Sequence, residues 1–514
     1  VLLVRNKNEF RALGSKCPHY GAPLSKGVLK GQRLRCPWHG ACFNIRTGDI
    51  EEYPSLDCLP CFKVTVQDGK VFVTAKKKVL TFPAVPGHQL HPQHHGLGRC
   101  PLNQNMMLLL GGGVAAMVCA ETLRQEGFTG RIIIATKEKH VPYDKTKLSK
   151  EMNLKAEDIY LRKPEFLRAH GIELWTEKEA ASVDFQKQKV SFTDGSSQKY
   201  NQLLIATGSH SNPLKVPGAD LQNVCILQTP EDSHKILKLA TGKNLVIVGA
   251  SFIGTRLDQA RLLSTSQDTE ETSPQPGATC LGVSRVQLYL QQCSLESPSQ
   301  YSNQLPFPFQ MLQTKGVKFY MKTEVCELKG KDGKVTEAVL ANKQKLPADV
   351  VVVGIGVFPN SAFLKGTSIA RDDSGAILVD LHMKTNIPNV FAAGDVVSFP
   401  VALLNGDKSS IQHQQVAEAH GHIAALNMLK KEKQLHTVPF FWTTMLGKSI
   451  RYTGCGKGYT ATVVKGSLEQ QKFLIFYIRD GVVAAAASLD CDPMVSLIAE
   501  VLYSGKQISK EEAE

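Results

Sequence analysis

The chain has 514 residues, more than one hydrophobic core usually holds, and its 42% hydrophobic and 21% charged residues are typical of an ordinary globular protein. The formal net charge of +13 comes from lysines and arginines spread along the whole chain, which indicates a solvated basic surface and no nucleic-acid partner. No apolar run approaches the roughly 20 residues that span a bilayer, so we expect no transmembrane segment. Fibrous, disordered and membrane-spanning classes are excluded, and a multidomain enzyme is allowed.

The first residues and the cysteines indicate in which cellular compartment the protein works. The chain begins at Val1 without an initiator methionine and enters directly into a strand-like segment, which predicts that the true N-terminus and any targeting segment are missing. Its 13 cysteines are irregularly spaced and include no CxxC pair. This usage favours metal ligation or a reducing compartment over a disulfide framework.

The N-terminal region is predicted to be a small domain followed by a linker. Residues 1–75 have short β-like runs separated by glycine-containing turns, which predicts an all-β domain. Residues 76–104 contain several prolines and are predicted to be an exposed linker. Four loosely spaced histidines in this linker are more typical of solvated side chains than of a metal site: His88, His91, His94 and His95.

Two short motifs in the all-β domain contain candidate metal ligands. Cys17 and His19 flank a proline, and Cys36 and His39 follow 16 residues later with a second proline after the cysteine. Two thiolates and two imidazoles can hold a tetrahedral zinc ion or a [2Fe–2S] cluster. The spacing resembles the two-loop Rieske signature, which implies two cysteines on one iron and two histidines on the other. Structural zinc remains the alternative.

A dinucleotide fingerprint opens the next region. Gly111, Gly113 and Ala116 follow the apolar run 106–110, which predicts a strand, a phosphate-binding turn and a helix. Small residues let the backbone approach a pyrophosphate at the helix N-terminus. The run 131–135 predicts the second strand, and Glu138 after it is a candidate to accept a hydrogen bond from a ribose.

Two later segments match a family with two dinucleotide-binding modules. Ala206, Thr207 and Gly208 resemble its turn at the exit from the first module. Gly394 and Asp395 end a segment that resembles its second FAD motif, which implies that Asp395 accepts hydrogen bonds from FAD. The helix predicted over 412–428 would point at the flavin.

A second nucleotide module is predicted between the two FAD segments. The strand-like run 244–248 leads into Gly249 and Gly254, which resemble the entry turn of an NAD(P)H module, although Ser251 replaces the middle glycine. Residues 255–310 are atypical, because neither a clean amphipathic helix nor a second strand that ends in an acidic or basic ribose reader follows Gly254. They are interpreted either as an artefact of the gene model or as a real adaptation.

The predicted architecture is therefore multidomain. A small all-β Rieske domain precedes an α/β fold with two dinucleotide-binding domains, and an α+β domain ends the chain. After the linker, the FAD-binding domain is predicted in two segments, 105–240 and 346–435. The NAD(P)-binding-like domain (241–345) lies between them, and the C-terminal reductase domain covers 436–514.

With the Rieske pair, both FAD motifs, the segment 142–150 and Trp442, the chain resembles the Rieske-containing, apoptosis-inducing factor-like flavoproteins of the FAD-dependent pyridine nucleotide oxidoreductase family. The resemblance implies that Lys145, where the family has arginine, and Trp442 contact the flavin. High-potential Rieske proteins have a further cysteine in each loop, and a disulfide between these two cysteines braces the cluster. The resemblance places Ala22 and Ala41 at the matching positions, which implies that this chain has no such disulfide.

The predicted function is an FAD-dependent NAD(P)H oxidoreductase that passes electrons through FAD to the Rieske cluster. A nicotinamide nucleotide is the expected electron donor, whereas the acceptor, a protein or a small molecule, and the catalytic residues are not identified. The resemblance implies a mitochondrial location, with a cytoplasmic one as the alternative, and a pro-apoptotic role. The rival hypothesis is a non-catalytic flavoprotein scaffold with an impaired NAD(P)H module.

Overall fold

The computed structural model of the chain describes residues 1–75, 99–249, 279–281, 313, 317–320 and 323–514. The predicted linker lies outside the described residues up to position 98, and so do its four histidines. Gly254, Ser251 and nearly all of the atypical segment 255–310 also lie outside them.

The N-terminal domain consists mainly of short antiparallel strands, as its turn-rich sequence predicts. These strands are β1 (Leu2–Asn6), β2 (Glu9–Leu13), β3 (Val28–Lys30), β4 (Arg33–Arg35), β5 (Cys42–Asn44), β6 (Ile50–Glu52), β7 (Cys61–Gln67) and β8 (Lys70–Thr74). They form two four-stranded sheets, in the orders β1-β2-β7-β8 and β3-β4-β5-β6. The first ligand loop follows β2, and the second follows β4.

The central region alternates strands and helices. Its strands are β9 (Met106–Leu110), β10 (Arg131–Ala135), β11 (Ile172–Trp175), β12 (Ala180–Asp184), β13 (Lys189–Phe192), β14 (Ser197–Lys199), β15 (Gln202–Ile205), β16 (Ser209–Ser211), β17 (Val224–Cys225), β18 (Leu245–Val248), β19 (Thr279–Leu281), β20 (Lys318–Tyr320), β21 (Val325–Lys331), β22 (Lys334–Leu340), β23 (Lys345–Pro347), β24 (Val350–Val353), β25 (Val357–Pro359), β26 (Ile377–Leu378), β27 (Val390–Ala392), β28 (Val397–Pro400) and β29 (Lys408–Ser409). Its helices are α1 (Val114–Gln125), α2 (Pro164–Ala169), α3 (Pro230–Ala240) and α4 (Gln414–Met428).

Two parallel sheets form the frame of this region. The first has the order β11-β10-β9-β15-β27, and the second has the order β20-β19-β18-β24-β17. Their inner strands are continuous apolar runs that are buried on both faces, which is typical of parallel sheets covered by helices. The strands predicted over 106–110 and 131–135 are confirmed.

Helix positions differ from the predictions by a few residues. The helix after the first glycine turn begins at Val114, with Gly113 as its N-cap, and ends at Gln125. The helix predicted over 412–428 begins at Gln414. Such ends shift easily because the N–H groups of the first turn have no acceptor within the helix.

The second module contains a short strand in its atypical segment. The sequence predicts no second strand that ends in an acidic or basic ribose reader, and β19, which ends at Leu281, pairs in parallel with β18 on one side and with β20 on the other. The strand is only three residues long, so it lacks the apolar run that would reveal it in the sequence.

The C-terminal region is an α+β domain. It contains β30 (Phe440–Met445), β31 (Lys448–Gly454), β32 (Ala461–Ser467), β33 (Lys472–Arg479), β34 (Val482–Leu489), α5 (Met494–Tyr503) and α6 (Lys510–Ala513). The five strands form one antiparallel sheet in the order β30-β31-β34-β33-β32. Helix α5 packs against this sheet and also against β3, so it joins the C-terminal and N-terminal domains. Among the described residues, no helix is long and apolar enough to cross a membrane.

Candidate functional site

The two loops that contain the predicted cluster ligands lie side by side. Cys17 and Cys36 are buried, and their side chains hydrogen-bond to each other. His19 and His39 direct the same ring atom toward each other, with 3.0 Å between their Nδ1 atoms. The two thiols and the two imidazoles therefore converge as separate pairs.

Backbone donors surround both sulfur atoms. The N–H groups of His19 and the residue after it point at the sulfur of Cys17, and those of His39 and the residue before it point at the sulfur of Cys36. Such donors stabilise negative charge on a thiolate. The hydrogen bond from Cys17 lowers the pKa of Cys36, and the same bond raises the pKa of Cys17.

Both candidate imidazole ligands are neutral at pH 7. Burial lowers the pKa of His19 to about 3. Burial also lowers the pKa of His39 well below its usual value. A neutral imidazole has a free lone pair for a metal, so both rings are in the form that metal binding requires.

The pairing fits a [2Fe–2S] cluster with two protein ligands on each iron. Among the described residues, no group of three or more His, Cys, Asp or Glu side chains is arranged to hold a single ion. The fit to a [2Fe–2S] cluster rests on the arrangement of the ligands as a thiol pair and an imidazole pair.

The histidine ligands face the C-terminal domain. The ring of Trp442 stacks on His39 with 4.8 Å between ring centroids, and it meets His19 edge-on at 5.5 Å. The residue before it, Phe441, lies 5.3 Å from the ring of His413, the N-cap of α4. The strand β30 thus connects the cluster loops with the helix that was predicted to point at the flavin.

The second ligand loop is braced by the rest of the protein. The Ser496 hydroxyl, on α5, donates to the Cys36 carbonyl at 2.9 Å. Gly40 has φ +77°, and a Cβ there would lie 2.6 Å from the ring of Phe440. The positions of the absent disulfide, Ala22 and Ala41, are packed in the domain core. Every cysteine whose side chain the structure describes is a free thiol.

A buried ion network fixes the N-terminal domain to α5. The guanidinium of Arg35, 1% exposed, donates to Glu500 at 2.9 Å, to Glu52 and to the Gly40 carbonyl at 2.9 Å. Arg33, two residues earlier on the same strand, donates to Glu500 at 2.7 Å. Burial alone would raise the pKa of Glu500, but the hydrogen bond from Arg33 and the charges of both arginines lower it. The carboxylate therefore stays ionised in the interface.

The first glycine turn has the geometry of a nucleotide cradle. Gly111 has φ +117°, and a Cβ there would lie 2.1 Å from the carbonyl oxygen of Ala206. A Cβ on Gly113 or on Gly208 would meet open space, so the backbone is accessible at these two positions. Ala116 is fully buried under the turn in α1.

Three charged side chains predicted for the flavin site lie close together. Lys145 donates to Glu138 Oε1 at 2.7 Å, while the buried Oε2 of Glu138 has no partner among the described residues. Asp395 accepts from the Ser209 hydroxyl at 3.1 Å. Burial raises the pKa of Asp395, and Ser209 and the charge of Lys145 partly oppose this. The unpartnered oxygen and the open glycines fit an FAD that hydrogen-bonds here.

The remaining predicted residues frame this site. Thr207 donates to the Asn360 carbonyl at 2.7 Å and so fixes the exit turn of β15. Gly394 donates its backbone N–H to His420 Nδ1 at 3.3 Å. In the second module, Gly249 follows β18 directly and has φ +108°.

Sequence reasoning missed several residues of the site. Ser209, His420, Arg35 and Glu500 belong to no motif, because each acts through a partner that is distant in the sequence. A weak signal existed only for Arg35, which directly precedes the ligand Cys36.

The fold and the paired sites define an FAD-dependent pyridine nucleotide oxidoreductase with a Rieske domain in the same chain. Family models match at residues 106–421 (pyridine nucleotide-disulphide oxidoreductase), 1–63 (Rieske [2Fe-2S] domain) and 440–514 (reductase C-terminal). The chain belongs to the pyridine nucleotide-disulphide oxidoreductase family, and its predicted fold class and oxidoreductase function are confirmed.

Individual relatives agree with this assignment. The chain is 44% identical to apoptosis-inducing factor 3 of Homo sapiens over 525 aligned residues, which cover 100% of the chain and 82% of the relative. It is 28% identical to the biphenyl dioxygenase system ferredoxin–NAD(+) reductase component of Paraburkholderia xenovorans, over 79% of the chain and 94% of that protein. A crystal structure of a ferredoxin reductase from Rhodopseudomonas palustris has the same fold, with a TM-score of 0.71, 24% identity, and coverage of 80% of the chain and 97% of that structure.

Proposed function

We propose that the chain transfers electrons from a reduced nicotinamide nucleotide through FAD to the Rieske cluster of its own N-terminal domain. The observation that carries the proposal is the contact of His19 and His39 with Trp442 of the reductase body. The edge of the cluster domain that contains His19 and His39, the ligand edge, faces inward, toward the region of α4. An electron that enters the cluster from the flavin then stays within one chain.

The cofactors supply the redox chemistry. When bound, FAD converts the two-electron reaction of a nicotinamide into one-electron steps, and a [2Fe–2S] cluster carries one electron at a time. The proposed cluster ligands are Cys17, His19, Cys36 and His39.

The protein's own residues bind and orient these groups. Gly113 and Gly208 leave the backbone open for the FAD phosphates and ribityl chain, and Gly111 lets the turn pack against the Ala206 carbonyl. Glu138, which Lys145 holds in position, offers a carboxylate oxygen to the ribose. Trp442 packs against both imidazoles and so fixes the orientation of the two rings.

An anaerobic titration with NADH and with NADPH tests the proposal. We expect the flavin absorbance band to bleach with at least one nucleotide, followed by the electron paramagnetic resonance signal of a reduced Rieske cluster. In a Cys17→Ser variant the flavin should still bleach, while the Rieske signal should be absent. Flavin that neither nucleotide bleaches would support the scaffold hypothesis. Bleached flavin beside a cluster that stays oxidised would contradict electron transfer within the chain.

The acceptor, the location and a role in cell death are also proposed. One relative is named as a ferredoxin–NAD(+) reductase component. By analogy, we propose that a redox protein or small molecule receives the electron from the cluster. Two relatives are named apoptosis-inducing factors, which supports a death-related role for this chain. The mitochondrial location is proposed because the resemblance of the sequence implies it. Fractionation of cells that contain the endogenous protein tests the location, and endogenous protein in the cytoplasm would contradict it. Viability of cells expressing the wild-type chain or a Gly111→Ala variant tests the death-related role, and unchanged viability would contradict it.

A further inference from the structure

A buried arginine of the C-terminal domain lies beside the cluster loops. Arg451 is only 4% exposed and lies on β31, directly opposite Trp442 on the neighbouring strand β30. Directly opposite residues in an antiparallel pair project from the same face of the sheet. Trp442 stacks on His39 from this face, so Arg451 belongs to the layer that covers the ligand edge.

The positive charge of Arg451 is only partly compensated. Its Nη1 donates to the backbone carbonyls of Thr443 and Ile450, each at 3.1 Å. Its Nη2 donates to Asp492 at 3.3 Å, and the Asp492 side chain is 25% exposed. The buried Nε has no partner among the described residues. The two acidic side chains that act on Arg451, Asp492 and Asp490, are 25% and 29% exposed, so solvent screens their charges more than it screens the buried guanidinium.

The strand pairing with Trp442, which stacks on His39, places this charge in the layer beside the ligands, and the pKa directions of the ligand residues agree with this placement. The pKa of Cys36 is lowered first by its hydrogen bond with Cys17, and the charge of Arg451 contributes to the same effect. The pKa of His39 is lowered first by burial, then by His19, and then by Arg451. Conversely, burial lowers the pKa of Arg451 itself, while Asp492 and Cys36 raise it. The charge of Arg451 therefore acts on the same two residues that the strand pairing and the ring stacking place beside it.

The ligand loop is also fixed relative to this charge. Ser496 Oγ holds the Cys36 carbonyl at 2.9 Å, and Phe440 closes on Gly40. These contacts bind the second ligand loop to α5 and β30 of the C-terminal domain, the domain that also contains Arg451.

We propose that Arg451 raises the reduction potential of the Rieske cluster and thereby directs electrons from the flavin to it. The proposal rests on the proposed function. Reduction adds one electron to the cluster without forming or breaking a bond, and its charge becomes more negative by one. A buried cation nearby stabilises the reduced state over the oxidised one. Arg451 is thus a positioning residue that acts on the cluster through its field.

A redox titration of the full-length chain with a reconstituted cluster tests this proposal. Dithionite and mediator dyes set the potential, and the electron paramagnetic resonance signal of the reduced cluster reports the midpoint. We expect Arg451→Met to lower the midpoint by about 59 mV, which corresponds to a tenfold change in the equilibrium constant of a one-electron couple. Arg451→Lys, which keeps the charge, should restore most of the shift.

Asp492→Asn gives an independent test with the opposite sign. Removing the partial counter-ion should raise the midpoint, and this variant remains informative if Arg451→Met does not fold. Arg11→Met removes an exposed arginine of the N-terminal domain and should leave the midpoint unchanged. Equal midpoints in wild type, Arg451→Met and Asp492→Asn, at normal iron and sulfide content, would overturn the proposal about Arg451 and leave the proposed function standing. Wild-type protein that binds no iron after reconstitution would overturn the proposed function as well.

Discussion

The two dinucleotide-binding modules repeat one design around their first glycine. In the first module, a Cβ on Gly111 would lie 2.1 Å from the carbonyl oxygen of Ala206, at the end of the adjacent strand β15. In the second module, a Cβ on Gly249 would lie 2.2 Å from the carbonyl oxygen of Gly354, at the end of the adjacent strand β24. Both glycines have positive φ, +117° and +108°. The strand ends therefore meet in the same way in both modules.

The modules differ in what surrounds these turns. Around the first, Glu138, Lys145 and Asp395 form a polar site, and α4 connects it to the cluster domain. The second keeps a five-stranded parallel sheet, in spite of its atypical sequence after Gly254. Strand pairing alone therefore preserves the frame of a nucleotide module. The ligand specificity of the module depends on the residues that follow the turn.

The largest expected effect is the loss of FAD in a Gly111→Ala variant. The added methyl group would overlap the Ala206 carbonyl, and alanine is strained at φ +117°. We expect FAD binding to weaken by about 3 kcal/mol or more, roughly a hundredfold, because the turn must shift. The ratio of flavin to protein absorbance after gel filtration measures this effect.

The control for this variant is Gly195→Ala, in a hairpin turn with φ +82° and open space around the position. This variant has the backbone strain but not the overlap with a carbonyl. We expect it to lose about 1 kcal/mol of folding stability and to keep its full flavin content. Normal flavin content in Gly111→Ala would show that the turn does not hold the cofactor.

A Gly249→Ala variant tests the second module in the same way. The overlap with the Gly354 carbonyl predicts nicotinamide binding that is weaker by about 2 kcal/mol or more, while the flavin stays bound. The measurement is the concentration of NADH or NADPH that half-bleaches the flavin in an anaerobic titration. An unchanged half-bleaching concentration would mean that the second module does not bind the donor at this turn.

An Asp395→Asn variant should have an intermediate effect on the first module. Asp395 is the buried carboxylate of the predicted second FAD motif, and a charge-assisted hydrogen bond contributes about 1.5–3 kcal/mol. We expect FAD to dissociate roughly ten- to hundredfold more readily, as measured by fluorescence of released flavin. Asp407→Asn, in an exposed turn, is the matched control and should behave as wild type. A normal dissociation constant for Asp395→Asn would remove this residue from the site.

The smallest expected effect, at most about 1.4 kcal/mol over a single pH unit, is a pH dependence that arises beside the first module. Burial raises the pKa of Glu418, on α4, from 4.5 to about 8. Because the pKa in the folded state is the higher one, the folded protein binds more protons between these values. The contribution to stability is fully present below pH 4.5 and is lost as the pH rises through about 8.

Thermal unfolding of a Glu418→Gln variant across this range isolates the effect. The wild type should lose at most about 1.4 kcal/mol of stability per pH unit from this group, and the variant should lose less. Parallel pH profiles for wild type and variant would show that Glu418 stays ionised in the folded protein.

Much of the site was predictable because its chemistry is local in the sequence. The ligands at 17, 19, 36 and 39 fall within two short motifs, and the glycine turns directly follow apolar strands. Local spacing fixes which side chains a tight loop can bring together. The strands β9 and β10 were predicted with their observed ends for the same reason, since a continuous apolar run marks a buried parallel strand.

The sequence by itself determined the cofactor classes and the order of the domains. Only the tertiary structure decided how the cluster domain contacts the reductase body. Arg35 and Glu500 lie 465 positions apart, and Trp442 has no sequence feature that links it to His39. Long-range pairs depend on how whole surfaces pack, because each contact becomes favourable only when neighbouring contacts have already excluded water.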